Sequence, residues 1–205
     1  DPESIVHGED TCMEPFHTGD IDFVAEVMNP EWISVPNGRL KIWTPLVNGL
    51  PPQDRRYVIG CDIASGKGGP GSTNHAAAVI DVTTGFKVAE FACNDISVVD
   101  YARYIRALGK FFKGLHEEAY LIWEDNGPGG AFGSHVIEFG YAHYFMRTNE
   151  SNIKKKKTFT PGWWSTPQTK LMLLSNHAKA LASGEYTERS RLCINECKDY
   201  VYSGQ

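Results

Sequence analysis

The sequence predicts a mixed α/β fold: one five-stranded sheet, with three antiparallel strands followed by α-β-α-β, flanked by helices. Three observations point to it. From Tyr57 to Cys93, short apolar, β-rich runs follow one another with only turns between them. Ser97 to Phe112 and Thr166 to Ser183 carry apolar residues at helical spacing. The 205 residues suffice for one sizeable core and are too few for two full-sized domains.

Residues 1–56 read as an acidic lead-in or linker, and residues 57–205 as the domain proper. In the lead-in, Phe16 to Met28 has a short helical pattern. Asn37-Gly38, Asn48-Gly49 and Pro51-Pro52 punctuate the rest as turns. Arg39 to Trp43 alternates like an edge strand. From Tyr57 to Ala64 an apolar run reads as a buried strand, bounded by the glycine-rich Ser65 to Ser72. His75 to Val82 and Phe86 to Cys93 follow as strands joined at the turn Thr83-Thr84-Gly85. Ser97 is a suitable N-cap for the next helix, whose Val98, Ala102, Ile105 and Leu108 share a side. Ala119 to Trp123 is the fourth strand, Gly130 to Phe139 a helix and Tyr141 to Met146 the fifth strand. Thr166 to Ser183 is a helix with Pro167 in its first turn, Leu171, Leu174, Ala178 and Leu181 inward, and Gly184 as C-cap. Arg189 to Tyr202 closes the chain as a last helix.

Composition narrows the class. Hydrophobic residues at 41% and charged residues at 22% exclude disordered, collagen-like and coiled-coil chains. No apolar run approaches the ~18 residues of a membrane-spanning helix. The opening Asp1-Pro2-Glu3 has no basic or apolar leader and no initiator Met, so a fragment of a longer protein is expected. The 5 cysteines are odd in number and scattered, which argues for thiols in a reducing compartment. Cys193 and Cys197 can share a helix face, but no neighbouring His or Cys in the sequence completes a zinc site. The net charge of -5 hides a local contrast. Residues 1–56 hold 10 acids and 4 bases, whereas residues 147–191 hold 9 bases and 3 acids. That basic stretch, with Lys154, Lys155, Lys156 and Lys157 at its head, reads either as a polyanion footprint or as a solvated loop.

Asp62 ends an apolar strand, where a carboxylate needs a cation or hydrogen bonds. Glu124 and Asp125 come straight after the fourth strand. Adjacent placement of the first and fourth strands would set Asp62 and Glu124 facing each other, and two such carboxylates stay ionised around a cation. Hard oxygen ligands suit Mg²⁺ or Mn²⁺. The competing reading is that Asp62 caps the glycine-rich turn and Glu124 is a solvated strand-end residue. A phosphate loop is excluded, because five residues separate Gly60 from Gly66-Lys67 and Gly68 stands where a hydroxyl is needed. His75, His135, His143 and His177 lie in apolar or helical contexts and read as packed or surface residues.

Five segments together resemble a known family. They are Gly38 to Trp43 with a following Pro, Tyr57 to Gly66, Glu124 to Gly127 with Gly130, Gly162 to Thr166 with Thr169-Lys170, and Asn195-Glu196-Cys197. In that order they resemble the nuclease domain of the large terminase subunit of tailed bacteriophages, of the ribonuclease H-like superfamily. The resemblance implies a metal-dependent endonuclease that cuts concatemeric double-stranded DNA during genome packaging. It assigns Asp62 and Glu124 to two Mg²⁺ or Mn²⁺ ions. Lys154 to Lys157, Lys170 and Trp163 would contact DNA, with Asn74, Asp125, Asn126, Thr166 and Glu196 in secondary places. Asn74 departs from an Asp frequent in the family. The family's third metal-binding acid is expected beyond Gln205 unless Asp199 or Glu196 substitutes. The implied partners are double-stranded DNA, an N-terminal ATPase motor, the portal and the small terminase subunit, in the cytoplasm of an infected bacterial host. Rival readings are another ribonuclease H-like nuclease of resolvase or integrase type, and a non-catalytic module docking on the portal or a partner subunit. A sugar-kinase or actin-like ATPase would need a second phosphate loop and a longer chain.

Overall fold

A computed structural model describes residues 2–23, 30–64, 72–115, 117–151 and 156–199, with the backbone alone at 149–151 and 156–157. The elements are α1 (Pro2–Thr11), β1 (His17–Ile21), β2 (Trp32–Ser34), β3 (Leu40–Ile42), β4 (Tyr57–Asp62), β5 (His75–Asp81), β6 (Phe86–Cys93), α2 (Val98–Phe111), β7 (Tyr120–Trp123), α3 (Gly129–Glu138), β8 (Met146–Ser151), β9 (Lys156–Pro161), α4 (Pro167–Ser183) and α5 (Arg191–Asp199). Seven strands form a mixed sheet in the order β2-β1-β3-β6-β5-β4-β7, and β8 and β9 form a separate hairpin. No helix among the described residues is long and apolar enough to cross a membrane.

The centre of the sheet follows from alternation. In β4 and β5, every second residue is buried, so Ile59, Cys61, Ala77 and Val79 face the core. The turn between β5 and β6 closes as expected: the Asp81 carboxylate accepts the Thr83 N–H at 2.8 Å, and Gly85 takes φ +75°. Ser97 caps α2 by accepting the Asp100 N–H at 3.1 Å. α2 lays Tyr101, Ala102, Tyr104, Ile105 and Leu108 on the sheet. Leu108 is fully buried, so its truncation to Ala would cost roughly 2–5 kcal/mol. The α2 crossover lets β7 run parallel beside β4, whereas every other pairing in the sheet is antiparallel.

The structure departs from expectation in five places. The sheet has seven strands because the lead-in contributes β1, β2 and β3. Leu40 and Ile42 are fully buried, and β3 lies between β1 and β6 rather than at an edge. The helical pattern from Phe16 to Met28 gives way at its start to β1, whose long-range pairing with β3 outweighs a local period; residues 24–29 lie outside the described part. The fifth strand is reduced to a single parallel bridge of Tyr144 to Leu121. At Met146 the chain leaves the sheet, turns through β8 and β9, and returns at Gly162 to bridge Trp163 to Glu124. Finally, α4 has the expected caps, Thr166 in a capping box and Gly184 at φ +72°, but Leu181 is its one buried residue. Leu171 points to solvent, because α4 packs against α1 instead of the sheet along most of its length.

Candidate metal centre

The β4–β7 register pairs Ile59 with Leu121, Gly60 with Ile122 and Cys61 with Trp123. One step further, Asp62 stands beside Glu124. Both belong to the sheet face turned away from the core, and both line a cleft of about 740 Å³. The cleft floor is made of Gly60, Ala76, Ala78 and Ala92, small residues that keep the two carboxylates proud of the surface. Neither side chain is ion-paired with a cationic residue among the described residues. Among the described residues, no group of three His, Cys, Asp or Glu is arranged to hold a metal ion.

Each carboxylate rests on a braced backbone. Just past Asp62, the buried His75 accepts the Ala64 N–H on Nδ1 at 3.1 Å, and its Nε2 meets the Ile96 carbonyl at 3.1 Å. That arrangement selects the neutral ring with its proton on Nε2. Burial, the largest influence, pushes the His75 pKa below its ordinary value. Glu124 is held on two sides, by the β4 register and by Trp163, whose N–H donates to Trp123 O at 2.8 Å while Asp125 N–H donates to Trp163 O at 2.7 Å. Gly129, at the start of α3, approaches so closely that a Cβ there would sit 1.8 Å from Glu124 O. Gly162 is equally constrained, with φ +78° and a Cβ position 2.7 Å from Trp123 Nε1.

The remaining predicted residues divide. Asn74 and Trp163 line the cleft with the carboxylates, and exposed Glu196 reaches it from α5. Asp125 turns away: Arg147 donates to its Oδ2 at 2.9 Å, donates to Gly162 O at 3.3 Å and lies over the Trp164 ring. Asn126 ties its loop to Ser165, and Thr166 caps α4. These three are supports of the site. Lys170 is exposed on α4 and does not line the cleft. Lys154 and Lys155 lie outside the described residues; Lys156 and Lys157 are in β9, and their side chains are not described.

Sequence reasoning missed Lys87. It lines the cleft yet is only 3% exposed, its ammonium 2.5 Å from Glu90 and 3.0 Å from Glu188. Burial works against its charge, but the Glu188 and Glu90 carboxylates prevail and hold its pKa above the usual lysine value. Burial likewise opposes the Glu188 charge, and Lys87 with the Tyr186 hydroxyl brings that pKa below normal. A lone Lys in the apolar run Phe86 to Cys93 was the available signal.

No family model matches the sequence, and no curated protein matches it. Solved structures do. The large terminase nuclease from thermophilic phage G20c superposes with a TM-score of 0.61 in its zinc-bound crystal form, covering 98% of this chain and 91% of that one at 16% identity. Its magnesium-bound form gives 0.62, with 98% and 82% covered, also at 16% identity. The chain has the fold of a large terminase nuclease domain. The Thermus phage P74-26 large terminase nuclease domain agrees, with a TM-score of 0.55, 15% identity, and 98% and 80% coverage. The terminase nuclease fold is thus established here by shape, with little help from sequence identity.

Proposed function

We propose that the chain is the nuclease domain of a phage terminase large subunit, a metal-dependent endonuclease that cuts concatemeric double-stranded DNA by phosphodiester hydrolysis. The observation that carries this reading is Asp62 level with Glu124 on adjacent parallel strands at the rim of an open cleft. The donor set fits hard divalent cations: two carboxylates that pair with no lysine or arginine among the described residues, and the amide oxygen of Asn74 in the same cleft. On this reading Asp62 and Glu124 hold two Mg²⁺ or Mn²⁺ ions, which supply Lewis acidity at the scissile phosphate when bound. The large terminase nuclease of phage G20c has been solved with bound zinc, magnesium and cobalt, which supports a divalent-metal site in this fold.

The chain's own residues position the rest. Trp163 forms a wall of the cleft against which DNA lies, and Lys154 to Lys157 with Lys170 supply phosphate contacts without sequence preference. The partners this reading assigns are double-stranded DNA, an ATPase motor, the portal and the small terminase subunit, in the cytoplasm of an infected bacterium. The test is cleavage of plasmid DNA titrated with Mn²⁺ and Mg²⁺. Metal-dependent cutting abolished by Asp62→Ala supports the reading, and cutting that survives Asp62→Ala removes Asp62 from the site.

A further inference from the structure

The cleft that holds Asp62 and Glu124 has one wall made by helices. Leu173 from α4 lines it, together with Leu192, Cys193 and Glu196 from α5. Leu173 is 54% exposed and Leu192 46%, so each leaves about half of an apolar side chain in water beside the two carboxylates. The floor of Gly60, Ala76, Ala78 and Ala92 carries nothing larger than a methyl group to cover them. Exposure alone does not single out Leu173, because Leu171 and Met172 before it are also exposed. Successive residues of a helix point about 100° apart, however, so the three cannot share one face. Of the three, Leu173 is the one that lines the cleft.

The two leucines stand on anchored helices. Leu181 and Ile194, the buried residues of α4 and α5, close on Gly8 of α1, where a Cβ would clash with Ile194. The start of α5 is tied to the sheet through Lys87, whose ammonium is 3.0 Å from Glu188; the same carboxylate oxygen accepts the Ser190 N–H at 2.7 Å. The surroundings of Leu173 are basic. Over its 17 residues α4 holds no Asp or Glu, and it carries Lys170 and Lys179. Lys170 is exposed and lies three residues before Leu173, hence on the same side of the helix. Glu196 is the acid among the helix residues of the wall, one turn beyond Leu192.

We propose that Leu173 and Leu192 are an apolar wedge that presses into the groove of DNA lying over Asp62 and Glu124 and opens a base step there, with Lys170 on a flanking phosphate. The proposal rests on the nuclease reading for its occupant. Two observations favour DNA over a second protein chain: the leucines share a cleft with the carboxylates assigned to the cations, and the helix bearing Leu173 is acid-free and basic, which complements a polyanion. Apolar side chains of this kind unstack a base step in part and bend the duplex around it. Pyrimidine–purine steps open most easily, so the wedge converts a contact without hydrogen bonds into a preference for where the strand is held.

The test reads binding without cutting. A fluorescent duplex, either fully paired or with one central mismatch, is titrated with the 205-residue chain in EDTA. A mismatch has part of the unstacking already made, so the parent chain is expected to bind it about tenfold more tightly than the paired duplex. Combining Leu173→Ser with Leu192→Ser is expected to remove that preference while the melting temperature holds, since both side chains are half exposed. Leu171→Ser, at an equally exposed position off the cleft, is expected to keep the preference. Equal affinity of the parent chain for the two duplexes, a preference that survives the double substitution, or one lost equally in Leu171→Ser would each overturn the proposal. So would a parent chain that sediments as a dimer and a double variant that sediments as a monomer, which would give the leucines to a second copy. Failure of the nuclease reading shows separately, as cutting that survives Asp62→Ala.

Discussion

Asn126 and Ser165 hold each other by a reciprocal pair of hydrogen bonds: Asn126 Nδ2 donates to Ser165 O at 3.0 Å, and Ser165 N–H donates to Asn126 Oδ1 at 2.7 Å. The pair joins the loop after Glu124 to the loop that starts α4. Only an amide side chain of this length offers a donor and an acceptor side by side. Asn126→Ala leaves two half-buried backbone groups without partners and is expected to cost about 1–3 kcal/mol in thermal or urea unfolding. Asn126→Asp keeps the acceptor and should fall between the two.

Asp125 and Glu124 are neighbours with different duties, and substitution separates them. Asp125→Asn weakens the Arg147 contact at 2.9 Å and is expected to cost about 1 kcal/mol of stability while divalent-cation binding persists. Glu124→Gln, at a half-exposed position, should leave the melting temperature nearly unchanged and weaken cation binding. Parallel melts and calorimetric titrations of the two variants check this contrast.

Gly162 stands where the hairpin excursion rejoins the sheet. Its φ of +78° disfavours any L side chain, and a Cβ would press on the Trp123 ring and Asp125 Cβ. Gly162→Ala is therefore expected to destabilise the chain by about 3 kcal/mol, measured by chemical unfolding.

His75 predicts a pH dependence. Its folded pKa lies below the 6.5 of an unfolded-chain histidine, because burial disfavours the charged ring. The unfolded chain therefore takes up a proton first as pH falls. The contribution is complete above pH 6.5 and is lost as pH drops from there through the lower folded value. Unfolding free energies measured across that range should decline with acid, and His75→Gln should flatten the decline. An unchanged slope in the variant would assign the effect elsewhere.

Much of this was legible because local and long-range signals agreed. The period-2 runs of β4 to β6, the Ser97 cap and the Thr166 box with Gly184 each specify their own element. Asp62 and Glu124 could be paired in advance because each comes at the end of an apolar strand, with the two strand ends level. What stayed hidden depends on distant contacts. β1 owes its strand form to β3, and the fifth strand is interrupted by a hairpin that no local period announces. The burial of Lys87 depends on Glu188, far along the chain, and Asp125 looks like a second acid of the site until Arg147 is seen beside it. The outward Leu171 follows from α4 leaning on α1, a contact between the two ends of the sequence.

Calorimetric titration of the chain with Mn²⁺ tests the central claim most directly, since it reads the proposed cation site without requiring DNA or turnover. Loss of supporting contacts around a metal typically weakens binding ~10–100-fold, so loss of a ligand should do at least as much. Binding to the parent chain that falls at least ~10-fold in both Asp62→Asn and Glu124→Gln is the predicted result. Equal Mn²⁺ affinity in the parent chain and both variants would contradict it.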